Sequence, residues 1–449
     1  METAATPPVH APQDPETLYT AHGTQQLLMR YEAALARVQA RRGIIPAHAA
    51  REIERTASTD FVTPEAVAEV RKTAGHPMVS LIRAWSAVLQ GDAAQWLHYG
   101  ATTQDAMDTV QLLQLRMATR HVVARMREAE AALLRLAAEH RATPMIGRTV
   151  GRHALPITFG LKVASWMTEN RRSIERLDAW CRRSDTGMLS GAVGTYAALG
   201  DDALSLEAQV LREFGVGAPL ATDWKGSRDM HAEFGALASI AAGTWRRIAQ
   251  EIFLLQGDDI RELEDPSGFV GSSTMPHKAN PDNARHIVAI ARRIGREAGV
   301  LLDWMVSIHE RDQISNADSL GVVATDLGRM MTIAVRMVKH LVVLPDNMRR
   351  NIGRTNGLIM AEPAMFLLGA QIGKQHAHGL VRRVAAQARQ SGRTLVEELR
   401  DAPEVRALAP QPDLDSLADP TRYLGQAVAV VDRAVAAIEA ARAAETGAT

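Results

Sequence analysis

Gly271-Ser272-Ser273-Thr274-Met275-Pro276-His277-Lys278-Ala279-Asn280-Pro281 is the one run in this chain that neither packing nor solubility explains. A helical run and an acidic approach bearing glycine and proline, Glu262 to Gly271, lead into it, and a new helical run begins at its closing proline. The pattern therefore predicts a loop, 264–281, between two helices. Glycine and proline set the turn, two small hydroxyls follow, and an ammonium and an amide stand a few positions on. Such a set can remove a proton and hold the anion that results. A polar connector with a chance lysine is the commoner origin of short motifs, but it does not account for a run of this length.

At 449 residues the chain is long enough for two or three core-forming units. Hydrophobic residues make up 46% and aromatics only 4%, the balance of long packed helices rather than sheets, so an all-α chain is expected. Lysine and arginine number 51, as do aspartate and glutamate. No global field then draws the chain to nucleic acid or to an anionic membrane, and any anion binding must be local. The single Cys181 excludes an intrachain disulfide and a cysteine metal cluster, and a lone thiol fits a reducing, cytoplasmic compartment. No run approaches the ~18 apolar residues of a membrane span. Residues 1–16 open on a Pro- and Ala-rich stretch without a basic start or hydrophobic centre, which reads as a floppy tail. There is no H-E-x-x-H, cysteine pair, Walker loop or dinucleotide fingerprint, so nothing calls for a metal or a cofactor.

Helical spacing runs from Thr17 to Arg42, with Gly43 as its stop, and shorter pieces broken by Pro46, Pro64, Gly75-His76-Pro77 and Gly91 continue to Gly100. Between Ala101 and Thr143 no glycine or proline occurs, which predicts a helix approaching ~55–60 Å. Four more long segments follow, about Ile157 to Ser184, Arg228 to Gln256, Asp282 to Ile308 and Val322 to Val343. The expected organisation is three helical domains: 1–104, a central bundle of five long helices over 105–344, and 345–449. Several long segments are apolar over more than half their circumference, so association of subunits is expected to cover them.

Two further stretches carry candidate chemistry. His98-Tyr99-Gly100-Ala101-Thr102-Thr103-Gln104-Asp105 opens the longest helix. Thr102 with Asp105 makes a good N-cap, and the same helix start can bind a carboxylate. The other is Gly147-Arg148-Thr149-Val150-Gly151-Arg152-His153-Ala154-Leu155-Pro156-Ile157-Thr158-Phe159-Gly160. Together with the 271–281 run, these resemble the three signature regions of the fumarase/aspartase superfamily, which includes adenylosuccinate lyase, argininosuccinate lyase and 3-carboxy-cis,cis-muconate cycloisomerase. All fixed positions of G-S-S-x-M-P-x-K-x-N-P are present. Thr103 stands where serine is more usual. Val150 stands where several relatives have a histidine used as a general acid or in binding, a histidine that the muconate cycloisomerases also lack, and Arg152 replaces a glutamine. Ser227-Arg228-Asp229 resembles the superfamily's Q-R-D segment, His76 aligns loosely with a catalytic histidine of adenylosuccinate lyases, and His309-Glu310-Arg311-Asp312 resembles an H-E-R-D turn. The resemblance runs from about Thr17 to Val435.

The resemblance implies a lyase that removes the proton next to a carboxylate and expels a β-substituent, through an aci-carboxylate dianion. It implies Ser272 as the base, with His153 and His76 as further catalytic candidates. Thr102, Thr103, Gln104, Arg148, Thr149, Arg152, Arg228, Ser273, Met275, Lys278 and Asn280 are the implied substrate-binding residues, Lys278 and Asn280 facing the carboxylate that gains charge. It further implies a homotetramer with a twenty-helix core, each active site drawing on three chains. The first expectation is a substituted succinate that yields fumarate, with an amine or nitrite leaving. The cycloisomerase reaction is the alternative, and an inactive structural homologue a third.

Overall fold

No glycine or proline interrupts residues 101–143, and in the computed structural model one helix of 37 residues, Thr103–Glu139, fills most of that span, about 55 Å at 1.5 Å per residue. The structure describes residues 11–265, 274–275, 277–312 and 318–446. Prolines start the short helices Pro64–Ala74 and Pro77–Ser86, where a missing N–H is harmless. The other long helices are Phe159–Arg183, Asp229–Leu255, Asp282–Asp303 and Asp318–His340. The chain closes with Ala427–Thr446.

Three features depart from the expected pattern. The stretch before Phe159 is an antiparallel strand pair, Pro144–Thr149 with Arg152–Thr158. Val342 and Val343, expected in a helix, pair as a strand with Leu263 and Glu264. The helix from Asp282 ends at Asp303 rather than near Ile308, although no glycine or proline stops it; turn hydrogen bonds take over at Met305 and Val306, and His309 is left-handed.

The chain divides into two compact units. In the unit formed by Met1–Arg127, Arg172–Trp245 and Ile287–Ile333, the long helices meet through identifiable contacts. Arg116 donates from Nε to the Cys181 carbonyl at 3.2 Å. Trp180 lies 5.4 Å from the Phe234 ring and donates from Nε1 to the Met230 carbonyl. Gly235 lets the Asp229–Leu255 helix approach Leu301, since an added Cβ would stand 3.0 Å from that side chain. Arg293 pairs through two nitrogens with the buried Asp326. Each fully buried leucine or methionine, such as Leu113 or Met126, contributes about 1.5–3 kcal/mol relative to exposure.

The second unit is Glu128–Arg171, Arg246–His286 and Ala334–Thr449. Its apolar centre gathers Ile352, Met360, Leu368, Leu380, Leu395 and Leu399. Gly160 lets the first turn of the Phe159–Arg183 helix abut the end of the longest helix, because a Cβ there would lie 2.8 Å from the His140 carbonyl oxygen. Arg171 and Arg442 both pair with the buried Glu130.

His231 is wholly buried between the rings of Trp304, at 5.1 Å, and Trp224, at 6.0 Å. Among the described residues neither of its ring nitrogens has a hydrogen-bond partner. Burial, reinforced by the nearby Arg228 guanidinium, holds its pKa down to about 3. Between that value and the ordinary ~6.5 of an unfolded chain, the unfolded state binds a proton that the folded state refuses, so stability falls as pH falls. Lowering pH from 7 to 5 should remove about 2 kcal/mol through this group. In His231→Phe that component of the urea-unfolding pH profile should vanish, and an unaltered profile would refute the assignment.

Candidate active site

The Pro144–Thr158 hairpin turns at Val150 and Gly151, whose φ angles are 51° and 72°. Glycine enters that region freely, whereas a β-branched valine there costs about 1–2 kcal/mol. The Val150 side chain is 100% exposed, and Thr149 and Arg152, cross-strand partners at the tip, are exposed beside it. One step down the ladder, Arg148 pairs with His153 across the strands. The Arg148 guanidinium is already engaged: its Nη1 and Nη2 donate to the two oxygens of Glu262 at 2.9 and 2.8 Å. Glu262 is wholly buried and also accepts from Asn351 Nδ2 at 2.9 Å. Arg148 therefore anchors the hairpin to the segment that leads into the 266–281 run.

His153 is half-buried, and its enclosed Nδ1 has no partner among the described residues. Burial first, then the Arg148 guanidinium, pushes its pKa below the usual histidine value, with Glu262 opposing. The imidazole is thus held neutral at pH 7 and is suited to accept a proton or a hydrogen bond.

Ser272 and Ser273 lie outside the described residues. On the far side of the run, Met275, His277 and Lys278 are exposed and Asn280 is half-buried. The Lys278 N–H donates to the Met275 carbonyl at 3.0 Å, and the Asn280 carbonyl accepts from the Asp282 N–H at 2.9 Å, which turns the chain into the following helix.

In the other unit, Thr102 caps the longest helix as its sequence suggests. Its N–H donates to Asp105 Oδ2 at 3.0 Å, one half of a capping box. Asp105 does much more, because it also accepts the N–H groups of Ser190 and Gly191 and pairs with Lys225 at 2.8 Å. The Lys225 ammonium, 1% exposed, also reaches Ser190 Oγ at 2.5 Å and Asp223 at 2.6 Å. Gln104 donates to Asp108, which receives Arg228 Nη1 at 2.9 Å on its other oxygen. The Arg228 guanidinium also lies 4.7 Å over the Trp304 ring. Burial pushes the Asp108 carboxyl up despite Arg228. Gln104 and Arg228 are thus both committed to Asp108. The half-buried Thr103 begins the helix beside them. His76 caps the Pro77–Ser86 helix, its Nδ1 accepting the Val79 N–H at 3.4 Å. Burial, then Arg71 and Arg311, lowers its pKa.

Asp105, Asp108 and Lys225 in one unit, and Glu262 and Asn351 in the other, escaped sequence reading as partners of the candidate residues. Only Asp105 carried a signal, its place three residues after Thr102. Lys225 meets Asp105 across 120 positions of chain, a distance over which residue spacing says nothing.

Residues 12–295 match the family described as lyase, and residues 357–434 match the adenylosuccinate lyase C-terminus. An adenylosuccinate lyase of Methanothermobacter thermautotrophicus is 38% identical, over 93% of this chain and 94% of its own. A nitrosuccinate lyase of Streptomyces davaonensis is 36% identical, over 91% of this chain and 89% of its own. The crystal structure of the 3-carboxy-cis,cis-muconate lactonizing enzyme from Pseudomonas putida superimposes with a TM-score of 0.86 at 31% identity, covering 95% of this chain and 97% of that one.

Removing Arg148 would leave Glu262 buried as an uncompensated charge, a change that typically costs about 3–5 kcal/mol. Arg148→Ala should therefore lower the unfolding free energy by about 3 kcal/mol in urea titrations. Arg152→Ala, on the exposed tip, should change it by less than about 0.5 kcal/mol. Equal effects of the two would contradict the separation of roles.

Proposed function

As this chain belongs to the fumarase/aspartase superfamily of lyases, we propose that it eliminates an anionic β-substituent, with nitrite the first candidate, from a substituted succinate to give fumarate. Ser272, activated by the loop and by Lys278, takes the proton from the carbon next to one carboxylate. The electron pair moves into that carboxylate as an aci-carboxylate dianion, where Lys278 and Asn280 stabilise it. When the pair returns to form the double bond, the bond to the leaving group breaks. Thr102, Thr103 and Thr149 hold the other carboxylate.

The observation that carries the choice of leaving group is the hairpin tip. Val150 has no proton to give, and the two candidate histidines are held towards neutrality, His76 with its Nδ1 already an acceptor. A neutral imidazole is a poor general acid, so a departing amine would find little help. A stable anion needs none, and the exposed Arg152 supplies positive charge beside the tip. The similarity to a nitrosuccinate lyase supports this reading. The cycloisomerase reaction stands as the second reading, favoured by the likeness to the muconate lactonizing enzyme.

Ultraviolet absorbance separates the possibilities. Fumarate should appear faster from nitrosuccinate than from N-substituted succinates at equal concentration, and 3-carboxymuconate should persist. The reverse order would shift the assignment to an amine, and loss of the muconate to the cycloisomerase. Ser272→Ala should lower kcat at least ~100-fold, and retention of a tenth of it would exclude Ser272 as base.

We also propose a homotetramer that shares its sites. The long helices leave Ile240, Phe253, Leu254 and Leu302 at 45–59% exposure, large apolar side chains of the kind that subunit association covers. Mixing the inactive variants Thr103→Val and Ser272→Ala should restore part of the activity, since some sites of a mixed tetramer would carry neither change. No recovery from co-refolded subunits would argue that both residues come from one chain.

A further inference from the structure

The chain leaves Leu263–Glu264 at Asp265 and returns to regular structure at the helix Asp282–Asp303. These two places are tied together. Asp265, 3% exposed, accepts from Asn283 Nδ2 at 2.7 Å and from the Ala284 N–H at 3.1 Å. The helix thus takes its capping carboxylate from the far side of the 266–281 run, 18 positions earlier in the chain for Asn283. The amide of Asn283 is oriented by a second contact, because Arg336 donates from Nε and Nη2 to its Oδ1 at 2.9 and 2.6 Å. Asp265 is oriented as well, its own N–H donating to Gln256 Oε1 at 2.9 Å. Each polar group in this chain of contacts has one direction only: guanidinium to amide oxygen, amide nitrogen to carboxylate.

We propose that Asp265 and Asn283, aligned by Arg336, are positioning residues for the elimination, which pin the two ends of the 266–281 run and so fix where Lys278 and Asn280 stand. The inference rests on the function proposed above. Lys278 and Asn280 lie only five and three residues before Asn283, so a shift of the helix start moves both. Groups that act on charge developing in the transition state are sensitive to such shifts, and about 1 Å of misplacement can cost on the order of 100-fold in rate. Their loss appears in kcat more than in KM.

The directionality supplies the test. Asp265→Asn sets an amide N–H₂ against either the Asn283 amide or the Ala284 N–H. Asn283→Asp sets a second carboxylate against Asp265. The double variant Asp265→Asn/Asn283→Asp restores every contact, with donor and acceptor exchanged only between positions 265 and 283. The introduced amide at 265 donates to the introduced carboxylate at 283 and accepts from Ala284, and that carboxylate still receives Arg336. With the full-length protein and a succinate that the wild type turns over, each single variant should lose at least roughly tenfold in kcat with KM changed less than about threefold. The double variant should recover to within about threefold of wild type. If Asn283→Asp does not fold, Asp265→Asn against the double variant makes the same comparison. Singles that keep wild-type kcat while melting earlier would reduce the cluster to a stabilising one, and a double variant no better than its parents would overturn the proposal. Amide hydrogen exchange over residues 277–285 gives a readout independent of turnover: protection should fall in the singles and return in the double. Absence of any succinate turnover by the wild type would defeat the proposed function, while the exchange pattern would still decide the pin.

Discussion

The Asp105 carboxylate is wholly buried at the first turn of the 37-residue helix, where a charge without partners would cost several kcal/mol. Four groups meet it: the N–H groups of Thr102, Ser190 and Gly191, and the Lys225 ammonium. They come from three separate parts of the chain, so burial of this charge obliges the helix start and the segments around 190 and 225 to hold one arrangement. Thr102 and Thr103 thereby stand on a rigid base. In the function proposed above these two residues hold the carboxylate that gains no charge, and a fixed base spares them the ordering that binding would otherwise cost.

The other unit uses the same device. Glu262 draws in Arg148 and Asn351, and Asp265 draws in Asn283 and the start of the following helix. One consequence concerns the cations. Arg148 and Arg228, which the family pattern offers to substrate, are engaged by buried carboxylates, whereas Arg152 and Lys278 remain at the surface. A fixed guanidinium bound to its own carboxylate shapes a site without lending it net charge. On the proposed function, the charge that meets an incoming anion comes from exposed groups of the second kind.

The histidines follow from burial in the same way. His231, His153 and His76 are all displaced towards the neutral form, and in each the largest cause is loss of water around the ring. His98 moves the other way, since the buried Glu32 at 2.8 Å outweighs its desolvation. The chain can stabilise an imidazolium where it provides a carboxylate, whereas at His76 and His153 nearby arginines reinforce the effect of burial, with Glu262 opposing them at His153. Elimination of a group that leaves as a stable anion suits that arrangement.

Helix positions were legible in the sequence because they depend on local properties: glycine and proline as breaks, apolar spacing at the helical period, and Thr102 with Asp105 as a cap. Ends without a breaker were not, and the helix that stops at Asp303 shows it. The hairpin at 144–158 was missed because its turn places a valine where glycine or asparagine is favoured; cross-strand pairing, the Arg148–Glu262 contact and the burial of Ile146 in the second unit's apolar centre hold it. The motifs named the candidates for the chemistry, since proton removal and charge stabilisation demand particular side chains. What each of those side chains is bound to was decided by tertiary structure alone. Arg148 and Arg228 look like Arg152 and Lys278 in sequence, and the difference between anchored and exposed cation arises from carboxylates 114 and 120 residues away. Burial sets the cost of leaving those carboxylates unpaired, and burial exists only once distant segments have come together.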